Sequence, residues 1–368
     1  MRILEIVSAR GINGVSKHAL DVGVGLRSRG HSITFLGVAD SWILESAQNQ
    51  GFESIVSDMH RWPGDEIKRI SGVARELGID VAHTHMSKAN FFGVMLKWYS
   101  GIPSVATAHS CHLQLHWFAN SFVIAVSEAT RRYHRFVNFV PKSRIRTIHN
   151  SIRFSSEKSE EQLAIQRAQM RSQLGLQSSD FVIGLVGRIA PQKGQLTMVD
   201  SLPAILSEIP NAKLLLIGGL ETPDYLARIE GRLNELSLRS HVQILGLRHD
   251  VLDLLTGIDV LAQPSLWESF PISMLEGMTV GVPIVASDVG GVRECLEHDR
   301  SGYLILPKNS ALLSKAIIKL AKSPELCRRL RDEAIRVVRS KFSPEMQITK
   351  TEQVLASVCA RRVGQMAA

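Results

Sequence analysis

The sequence predicts an α/β protein made of two doubly wound domains, each with a parallel sheet of Rossmann type. Short apolar runs rich in β-branched residues alternate with stretches of helical periodicity, over residues 1–150 and again from residue 181 onward. This alternation favours parallel sheets, because each helix connects two strands as a crossover. With 368 residues, the chain is also long enough for two domains, each with its own hydrophobic core.

The first half of the chain predicts a first domain at residues 1–152. Its strands are expected at residues 2–8, 31–38, 80–84, 103–108, 122–126 and 145–148. Its helices are expected at residues 16–29, 64–77 and 89–99 and after Ser127, whose hydroxyl is a typical N-cap group. Residues 153–178 are polar and charged and predict a linker with a surface helix.

The second half repeats the alternation and predicts a second domain at residues 179–343. Its strands are expected at residues 181–186, 213–217, 242–245, 260–263, 283–287 and 302–306. Its helices are expected at residues 196–208, 225–236, 251–256, from Pro271, at 311–321 and at 324–342. A C-terminal helical segment is predicted at residues 344–368.

The composition is that of a soluble globular protein, with 45% hydrophobic and 21% charged residues. No apolar run approaches the length needed to span a bilayer, and Glu5 interrupts the apolar N-terminus, which therefore predicts a first strand and not a signal peptide. The four scattered cysteines indicate reduced thiols. We expect a cytoplasmic protein, with peripheral contact at the inner face of the plasma membrane as a further expectation.

The net charge of +8 is concentrated in the first half, where residues 1–150 carry 17 Lys and Arg against 11 Asp and Glu. This excess favours an anionic partner: a phosphorylated substrate, a membrane surface or nucleic acid. Residues 131–136 form the only run in which basic and aromatic residues interleave. We expect no nucleic-acid partner and interpret this run as a helix face that contacts anionic membrane. The alternative is an ordinary solvated helix face.

Glu268 and Glu276 lie eight residues apart around a predicted helix start at Pro271. Glu276 is expected about one and a half turns into this helix and Glu268 in the loop before it, so that both carboxylates can face one cleft. The N-terminus of the helix would offer N–H groups to an anion. The alternative is two surface glutamates on an exposed helix.

Arg188 and Lys193 stand five residues apart in a glycine-containing loop that follows a predicted strand. Two cations on such a loop suit a diphosphate, and carboxylates suit sugar or ribose hydroxyls. Together they indicate a nucleotide sugar. The chain has no Asp-x-Asp pair to hold a metal–diphosphate complex, so we expect no metal and no further cofactor.

Polar side chains also end the strands of the first half, where open α/β sheets bind ligands. His109 is expected to contact a ligand, with a buried core histidine as the alternative. Gly14 would let a ligand approach the backbone, with a plain tight turn as the alternative. We expect His83 and His85 to project to opposite faces of their strand, and hence not to chelate one ion.

The sequence resembles the family-4 glycosyltransferases of the GT-B fold. The motifs that carry the resemblance span about 290 residues and are, in chain order, the N-terminal glycine loop and the helix ending Arg29-Gly30-His31, Asp80-Val-Ala-His-Thr-His85, Pro103-Ser-Val-Ala-Thr-Ala-His109, Val126-Ser127, Asn150, Gly187-Arg188, Lys193-Gly194, Gly246, Pro264-Ser265, Glu268-x7-Glu276, Gly281-Val-Pro283 and Gly290-Gly291. The resemblance implies two Rossmann-like domains that face each other across a cleft, and a retaining, metal-independent transfer from a nucleoside-diphosphate sugar.

The resemblance assigns donor binding in the second domain to Arg188, Lys193, Glu268, Ser269, Phe270 and Glu276. Arg188 and Lys193 would bind the diphosphate and stabilise it as it leaves. Glu276 would hold the ribose hydroxyls, and Glu268 would contact the donor sugar. The amides around Ser269 and Phe270 would face sugar and phosphate.

From the first domain, the resemblance places Gly14 at the diphosphate and His109 at the donor sugar, so that His109, Glu268, Arg188 and Lys193 are the expected catalytic residues. The first domain would otherwise bind the acceptor, a carbohydrate or a lipid-linked molecule, and the final helix would cross back to it. The donor would be UDP- or GDP-linked, and the pathway one of surface polysaccharide, lipopolysaccharide or glycolipid synthesis. Alternatives are a nucleotide-sugar epimerase, a sugar phosphorylase or a non-catalytic nucleotide-sugar-binding protein.

The sequence departs from the family pattern at three places. Asn13-Gly14 replaces a Gly-Gly pair, Asn150-Ser-Ile-Arg153 replaces Asn-Gly-x-Asp, and Ser269 follows Glu268 in place of the commoner glycine. None of the central charged positions is lost, so we expect an active enzyme.

Overall fold

A computed structural model describes residues 1–60, 64–154 and 159–367, and the side chains up to residue 362. The chain divides into two compact units. Unit 1 comprises Met1–Asn150 and Pro344–Ala368, and unit 2 comprises Ser151–Ser343. The division after Asn150 falls two residues before the predicted end of the first domain.

Unit 1 is built on a seven-stranded parallel sheet. The strands are β1 (Arg2–Val7), β2 (Ser32–Gly37), β3 (Glu53–Val56), β4 (Val81–His85), β5 (Ser104–Ala108), β6 (Phe122–Ala125) and β7 (Ile145–Thr147). The helices among them are α1 (Gly14–Arg27), α2 (Trp42–Asn49), α3 (Gly64–Glu76), α4 (Ser87–Ser100) and α5 (Glu128–Phe136), with 3-10 helices at Leu115–Ala119 and Lys142–Arg144. The strand order is β3-β2-β1-β4-β5-β6-β7. Successive strands are added on one side of β1 up to β3 and on its other side from β4 onward. In open α/β sheets, ligands bind at the carboxyl ends of the two strands at such a point, here β1 and β4.

Helix α2 and strand β3 were not predicted from the sequence. Strand β3 is the edge of the sheet, and its side chains are exposed or half-buried. An edge strand of this kind needs no apolar run, so the hydrophobic pattern does not reveal it.

Unit 2 is built on a six-stranded parallel sheet. The strands are β8 (Phe181–Val186), β9 (Ala212–Ile217), β10 (Val242–Gly246), β11 (Val260–Gln263), β12 (Ile284–Ser287) and β13 (Tyr303–Ile305). The helices are α6 (Glu160–Gln173), α7 (Gln195–Glu208), α8 (Pro223–Glu235), α9 (Val251–Thr256), α10 (Ile272–Val280), α11 (Val292–Cys295), α12 (Ser310–Ala321) and α13 (Pro324–Lys341), with 3-10 helices at Pro191–Lys193 and Arg239–His241. The strand order is β10-β9-β8-β11-β12-β13, so that β8 and β11 are neighbours although about 75 residues separate them in sequence.

Helix α6, within the predicted linker, is anchored to unit 2 by buried charge. Arg171 is 5% exposed and donates from Nη2 to Oδ2 of Asp259 at 2.6 Å, and from Nη1 to the carbonyls of Ser178 and Asp180. Ser159 caps the helix in a reciprocal capping box with Gln162. Residues 155–158 of the predicted linker lie outside the described residues.

The last helix, α14 (Pro344–Ala367), belongs to unit 1. Glu352 on this helix accepts hydrogen bonds from Arg29 Nη1 at 2.8 Å and contacts His31 Nε2 at 2.7 Å. Ile348 and Leu355 are buried in the same core cluster as Leu26 of α1. Within the described residues, none of the helices combines the length and apolar character that a membrane span requires.

Candidate functional site

The loop after β8 and the loop after β11 in unit 2 meet at a glycine. Gly194 has φ +73, and a Cβ atom there would lie 2.0 Å from the carbonyl oxygen of Pro264. A side chain at position 194 would therefore force the two loops apart. Leu266 N donates to Gln192 O at 2.7 Å, and Gln192 Nε2 donates to Trp267 O at 2.9 Å, so that hydrogen bonds hold the same two loops together.

Lys193 and Glu268 form an ion pair across these loops. Lys193 Nζ donates to Glu268 Oε1 at 2.6 Å, and the side chains are only 16% and 7% exposed. Ser265 Oγ donates to the same carboxylate oxygen at 2.8 Å. A nearly buried pair of this kind is retained only where its hydrogen bonds offset the loss of hydration. The sequence predicted both residues for the site but not their direct contact.

The backbone of Glu268 is held by the turn after β12. Gly291 N donates to Glu268 O at 3.0 Å. Gly290 has φ +52, and a Cβ atom there would lie 1.8 Å from that same oxygen. The Gly290-Gly291 turn therefore fixes the backbone of the loop that carries Glu268.

Arg188 has a partner that the sequence did not predict. Its Nη1 lies 2.8 Å from Glu221 Oε1, and both side chains are about half exposed. An exposed pair contributes less than about 1 kcal/mol, so the guanidinium can turn toward another anion at small cost. Gln195 Nε2 donates to the carbonyl of Arg188 at 2.8 Å and fixes its backbone.

The segment Ser269–Pro271 leads into α10, as predicted. Pro271 is the N-cap residue, and the helix ends at Gly281 in the left-handed conformation. Ser269 and Phe270 are buried, and the Phe270 ring packs edge-to-face on Phe342 with centroids 5.3 Å apart. Glu276 lies half-buried within α10.

Gln263 is a site residue that the sequence analysis missed. This side chain is 2% exposed at the carboxyl end of β11, where its Nε2 donates to Val186 O at 3.1 Å and its Oε1 accepts from Ser273 Oγ at 3.0 Å. It therefore joins the end of β8 to the first turn of α10. The sequence did contain a signal for this residue, because a glutamine at the end of a buried apolar strand is expected to have hydrogen-bond partners.

In unit 1, Gly14 is the exposed first residue of α1. Asn13 caps this helix: its Oδ1 accepts from Val15 N at 2.9 Å and Ser16 N at 3.0 Å, while Ser16 Oγ accepts from Asn13 N at 2.9 Å. The departure from Gly-Gly at this loop therefore supplies a helix cap.

His109, at the end of β5, belongs to a cluster of imidazoles in unit 1. Its Nε2 lies 3.3 Å from Nδ1 of His85, and its ring centroid is 4.8 Å from that of His18. Burial lowers the pKa of His18, His85 and His109 well below the usual histidine value, and the neighbouring imidazoles lower it further. All three rings are therefore neutral near pH 7.

The interpretation that His83 and His85 project to opposite faces of their strand is wrong. Their ring centroids lie 4.3 Å apart, and both rings contact the Glu5 carboxylate. Side chains alternate along a strand, so residues two apart share a face. The nitrogen and oxygen atoms of two overlapping sets of residues lie within 4.8 Å of one another, a spacing that could hold a metal ion. One set is Glu5, His83 and His85, and the other is His18, His85 and His109. Several of these atoms are already hydrogen-bonded to one another.

The basic–aromatic run at residues 131–136 does not form a single exposed face. Arg131 and Arg132 pair with Glu128, and His134 is buried between the carbonyl of Ser110 and the side chain of Asn138. Burial lowers the pKa of His134 to about 4. Several large apolar side chains between residues 98 and 139 are exposed, and we call this set the aromatic surface: Trp98, Tyr99, Leu113, Leu115, Phe118, Phe136 and Phe139.

Family comparison decides what these two units are. Residues 12–155 match the family described as Glycosyltransferase Family 4, and residues 166–337 match the family described as Glycosyl transferases group 1. The chain belongs to the GT4-type glycosyltransferases.

Relatives and solved structures agree with this assignment. The GT4-type chain is 28% identical over 333 residues to an uncharacterised glycosyltransferase of Methanocaldococcus jannaschii, covering 82% of this chain and 83% of the relative. It is 24% identical to N-acetyl-alpha-D-glucosaminyl L-malate synthase of Bacillus anthracis over 94% of both chains. Its fold is similar to that of Anabaena Alr3699/HepE in complex with UDP and glucose, with a TM-score of 0.87 at 22% identity over 97% of this chain and 100% of that one. The two Rossmann-like sheets are therefore those of a GT-B glycosyltransferase, as predicted.

Proposed function

We propose that this GT4-type glycosyltransferase is a retaining, metal-independent enzyme. It transfers a sugar from a nucleoside-diphosphate sugar to a carbohydrate or lipid-linked acceptor in surface polysaccharide, lipopolysaccharide or glycolipid synthesis. The observation that carries the proposal is the Lys193–Glu268 pair, in which a cation and a carboxylate are nearly buried side by side where β8 and β11 end. The cation can neutralise charge on a diphosphate, and the carboxylate can accept a hydrogen bond from a sugar hydroxyl.

In the proposed reaction, the bond between the anomeric carbon and the diphosphate oxygen breaks, and its electrons stay on the diphosphate. The acceptor oxygen bonds to the anomeric carbon on the face that the diphosphate leaves, which retains the configuration. The hydroxyl proton of the acceptor passes to a departing phosphate oxygen. The residues of the protein therefore have to stabilise negative charge on the leaving group rather than supply a strong base.

Lys193 and Arg188 are the groups proposed to stabilise that charge. The ammonium of Lys193 has three N–H donors, so it can bind a phosphate oxygen without leaving Glu268. The Arg188 guanidinium pairs with Glu221 at an exposed position and can turn to the diphosphate at small cost. Glu268, which pairs with Lys193 and Ser265, is proposed to accept a hydrogen bond from a sugar hydroxyl, and Glu276 to accept one from the ribose.

The donor is proposed to be UDP- or GDP-linked. Alr3699/HepE, which shares the fold, has been solved in complex with UDP-glucose. A relative from Escherichia coli, 26% identical over 250 residues, 61% of this chain and 62% of its own, is named for transfer from UDP-Gal to a sugar on diphosphoundecaprenol. These proteins support a nucleotide-sugar donor and a lipid-linked acceptor for this chain.

We further propose that the aromatic surface contacts anionic membrane at the cytoplasmic face. The Arg144 guanidinium lies 5.6 Å from the centroid of the Phe118 ring, and that of Arg135 lies 5.0 Å from the centroid of the Phe136 ring, so cations accompany exposed aromatic side chains. Aromatic side chains insert at the headgroup level while basic groups attract anionic lipid.

The membrane contact is tested by sedimentation with vesicles that contain phosphatidylglycerol. Phe118→Ser combined with Phe136→Ser should release the protein into the supernatant, whereas Leu306→Ser, which removes an equally exposed apolar side chain from unit 2, should not. A wild-type protein that stays in the supernatant contradicts the membrane contact.

The transfer reaction is tested by proton NMR of the product formed from each nucleotide sugar in the presence of a chelator. The proposal expects a product with the anomeric configuration of the donor. An inverted product, a requirement for divalent metal, or release of free sugar-1-phosphate in place of transfer contradicts it.

A further inference from the structure

Two imidazoles and a carboxylate converge in the interior of the unit 1 sheet. Glu5 on β1 lies directly beside His83 on β4, and His85 follows two residues further along the same strand. The Oε1 atom of Glu5 is 3.0 Å from Nδ1 of His83, and its Oε2 atom is 2.9 Å from Nε2 of His85. All three residues are fully buried. The register of two neighbouring strands therefore brings three metal-ligating side chains together.

The charge of Glu5 has no lysine or arginine beside it. In residues 1–60, 64–154 and 159–367, the groups that pair with this carboxylate are the rings of His83 and His85. The rest of β1 from Ile3 to Val7 is apolar and buried. A buried carboxylate is costly unless a cation or a metal ion offsets its charge, and a leucine would pack in the strand without this cost. The packing of the sheet alone therefore does not account for Glu5.

The spacing of these atoms fits a divalent metal ion. Zinc binds imidazole nitrogen and carboxylate oxygen at about 2.0–2.2 Å, so two ligand atoms on one ion are about 3.0–3.4 Å apart. The oxygen–nitrogen distances of 3.0 and 2.9 Å at Glu5 are close to this range. One ligand atom from each of the three residues lies within 4.8 Å of the others. The same distances also suit hydrogen bonds, so the chemistry of the donor set has to decide.

The outer nitrogens of the two rings have the surroundings that metal ligands need. A histidine that binds a metal usually donates its other ring N–H to a fixed oxygen or nitrogen atom, which orients the ring. His83 Nε2 lies 2.7 Å from Oγ1 of Thr107 on β5, and a hydroxyl can accept as well as donate. The outer nitrogen of His85 faces Nε2 of His109 at 3.3 Å. Burial lowers the pKa of His85 well below the usual histidine value, which keeps this ring in the neutral form that binds metals.

We propose that Glu5, His83 and His85 bind a divalent ion of the zinc class inside unit 1, where the ion joins β1 to β4. Two imidazoles and one carboxylate are a donor set that suits zinc and other first-row divalent metals. The ion neutralises the charge of Glu5 and replaces its two hydrogen bonds. It has a structural role and takes no part in the proposed transfer, for which the cations Arg188 and Lys193 belong to unit 2.

Uptake of Co²⁺ and Zn²⁺ by the full chain is the first test. The protein is dialysed against a chelator and titrated with Co²⁺, whose absorption in the visible range reports its coordination. Because the three ligands are buried, Co²⁺ is also supplied during expression in a second preparation. We expect one equivalent of Co²⁺, which Zn²⁺ displaces. A wild-type chain that contains no bound ion after either treatment overturns the proposal.

Single substitutions identify the ligands. Glu5→Gln and His83→Gln each remove one ligand and keep a polar side chain, so both should lose the ion. His116→Gln is the matched control, because it removes a half-buried imidazole of unit 1 that lies outside the set, and it should keep the ion. His18→Asn separates the two overlapping sets and should also keep it. Loss of the ion in His18→Asn with retention in His83→Gln overturns the proposal.

The wild type alone decides the ligands if these variants do not fold. X-ray absorption of the zinc-loaded chain counts the imidazoles on the ion, and we expect two, together with carboxylate oxygen. Three imidazoles, or a sulfur ligand, would overturn the site.

The structural role is tested by thermal unfolding. Zinc at about one hundred times its Kd should raise the melting temperature of the wild type by about 5 °C or more, because the assembled site exists only in the folded chain. The melting temperature of Glu5→Gln should not respond to zinc. A bound ion that leaves the melting temperature of the wild type unchanged contradicts a structural role.

Discussion

The ammonium of Lys193 lies 2.6 Å from Oε1 of Glu268, and both side chains are nearly buried between the loops that follow β8 and β11. Each charge depends on the other for its stability in the absence of ligand. A diphosphate that binds Lys193 competes with the Glu268 carboxylate for the charge of the ammonium. Binding of a diphosphate is therefore expected to weaken the attraction between Lys193 and Glu268.

Lys193→Ala should lower turnover by about two to three orders of magnitude, because it removes a charged donor to the leaving group. Lys322→Ala is a matched control, since it removes an exposed lysine of unit 2 that pairs with Glu208 on the surface. Steady-state kinetics with a nucleotide sugar measure both. Near-normal turnover in Lys193→Ala would remove Lys193 from the mechanism.

Glu268→Gln should lower turnover and yet tighten binding of the free nucleoside diphosphate by about two- to fivefold, because Lys193 no longer shares its charge with a carboxylate. The glutamine oxygen can still accept from Ser265, so the loop should keep its place. Calorimetry gives the Kd. Weaker binding of the nucleoside diphosphate would show that Glu268 does not compete for Lys193.

Gly290→Ala should destabilise the protein by about 2 kcal/mol or more, since its left-handed backbone disfavours a side chain and the added Cβ would lie 1.8 Å from the carbonyl oxygen of Glu268. Gly231→Ala in α8 is the control, because its Cβ meets no atom within 4 Å and alanine favours helix by up to about 1 kcal/mol. Thermal unfolding compares the two. Equal melting temperatures for Gly290→Ala and the wild type would contradict the close approach.

Stability should fall as the pH is lowered from about 6.5 toward 4, because protons bind the histidines of the unfolded chain before those of unit 1. The pKa of His134 is lowered to about 4 by burial, and burial also lowers the pKa of His18, His85 and His109. These neutral rings make their full contribution to the free energy of unfolding above about pH 6.5. Below this pH, each ring lowers the free energy of unfolding by up to about 1.4 kcal/mol per pH unit.

Melting temperatures between pH 7.5 and 5 check this dependence. His134→Asn should reduce the pH dependence of the free energy of unfolding by the equivalent of about one bound proton. A melting temperature that is constant or rises toward pH 5 would show that these histidines bind protons in the folded state as readily as in the unfolded chain.

The sequence predicted the strand ends and the helix of the Glu268–Glu276 motif because these features are local. Proline just before α10 and glycine just after it lie within a dozen residues of each other. Local patterns of the same kind predicted helix α7 and the apolar runs of β8 and β11.

The Lys193–Glu268 pair could not be predicted in this way. It depends on β8 lying beside β11, and that neighbour relationship is a choice of sheet order that no local pattern encodes. The contacts of Glu5 were missed for a similar reason, since they appear only when His83 and His85 are placed beside it. The edge strand β3 lacks the apolar run on which the prediction relied.

The central claim is that cations and carboxylates of the protein bind a nucleotide sugar without metal. Isothermal titration calorimetry of UDP- and GDP-linked sugars in the presence of EDTA tests it most directly. The account predicts that at least one of these donors binds, that the matching nucleoside diphosphate competes with it, and that Lys193→Ala weakens it. Absence of binding across the panel, or binding only after a divalent metal is added, would contradict the account.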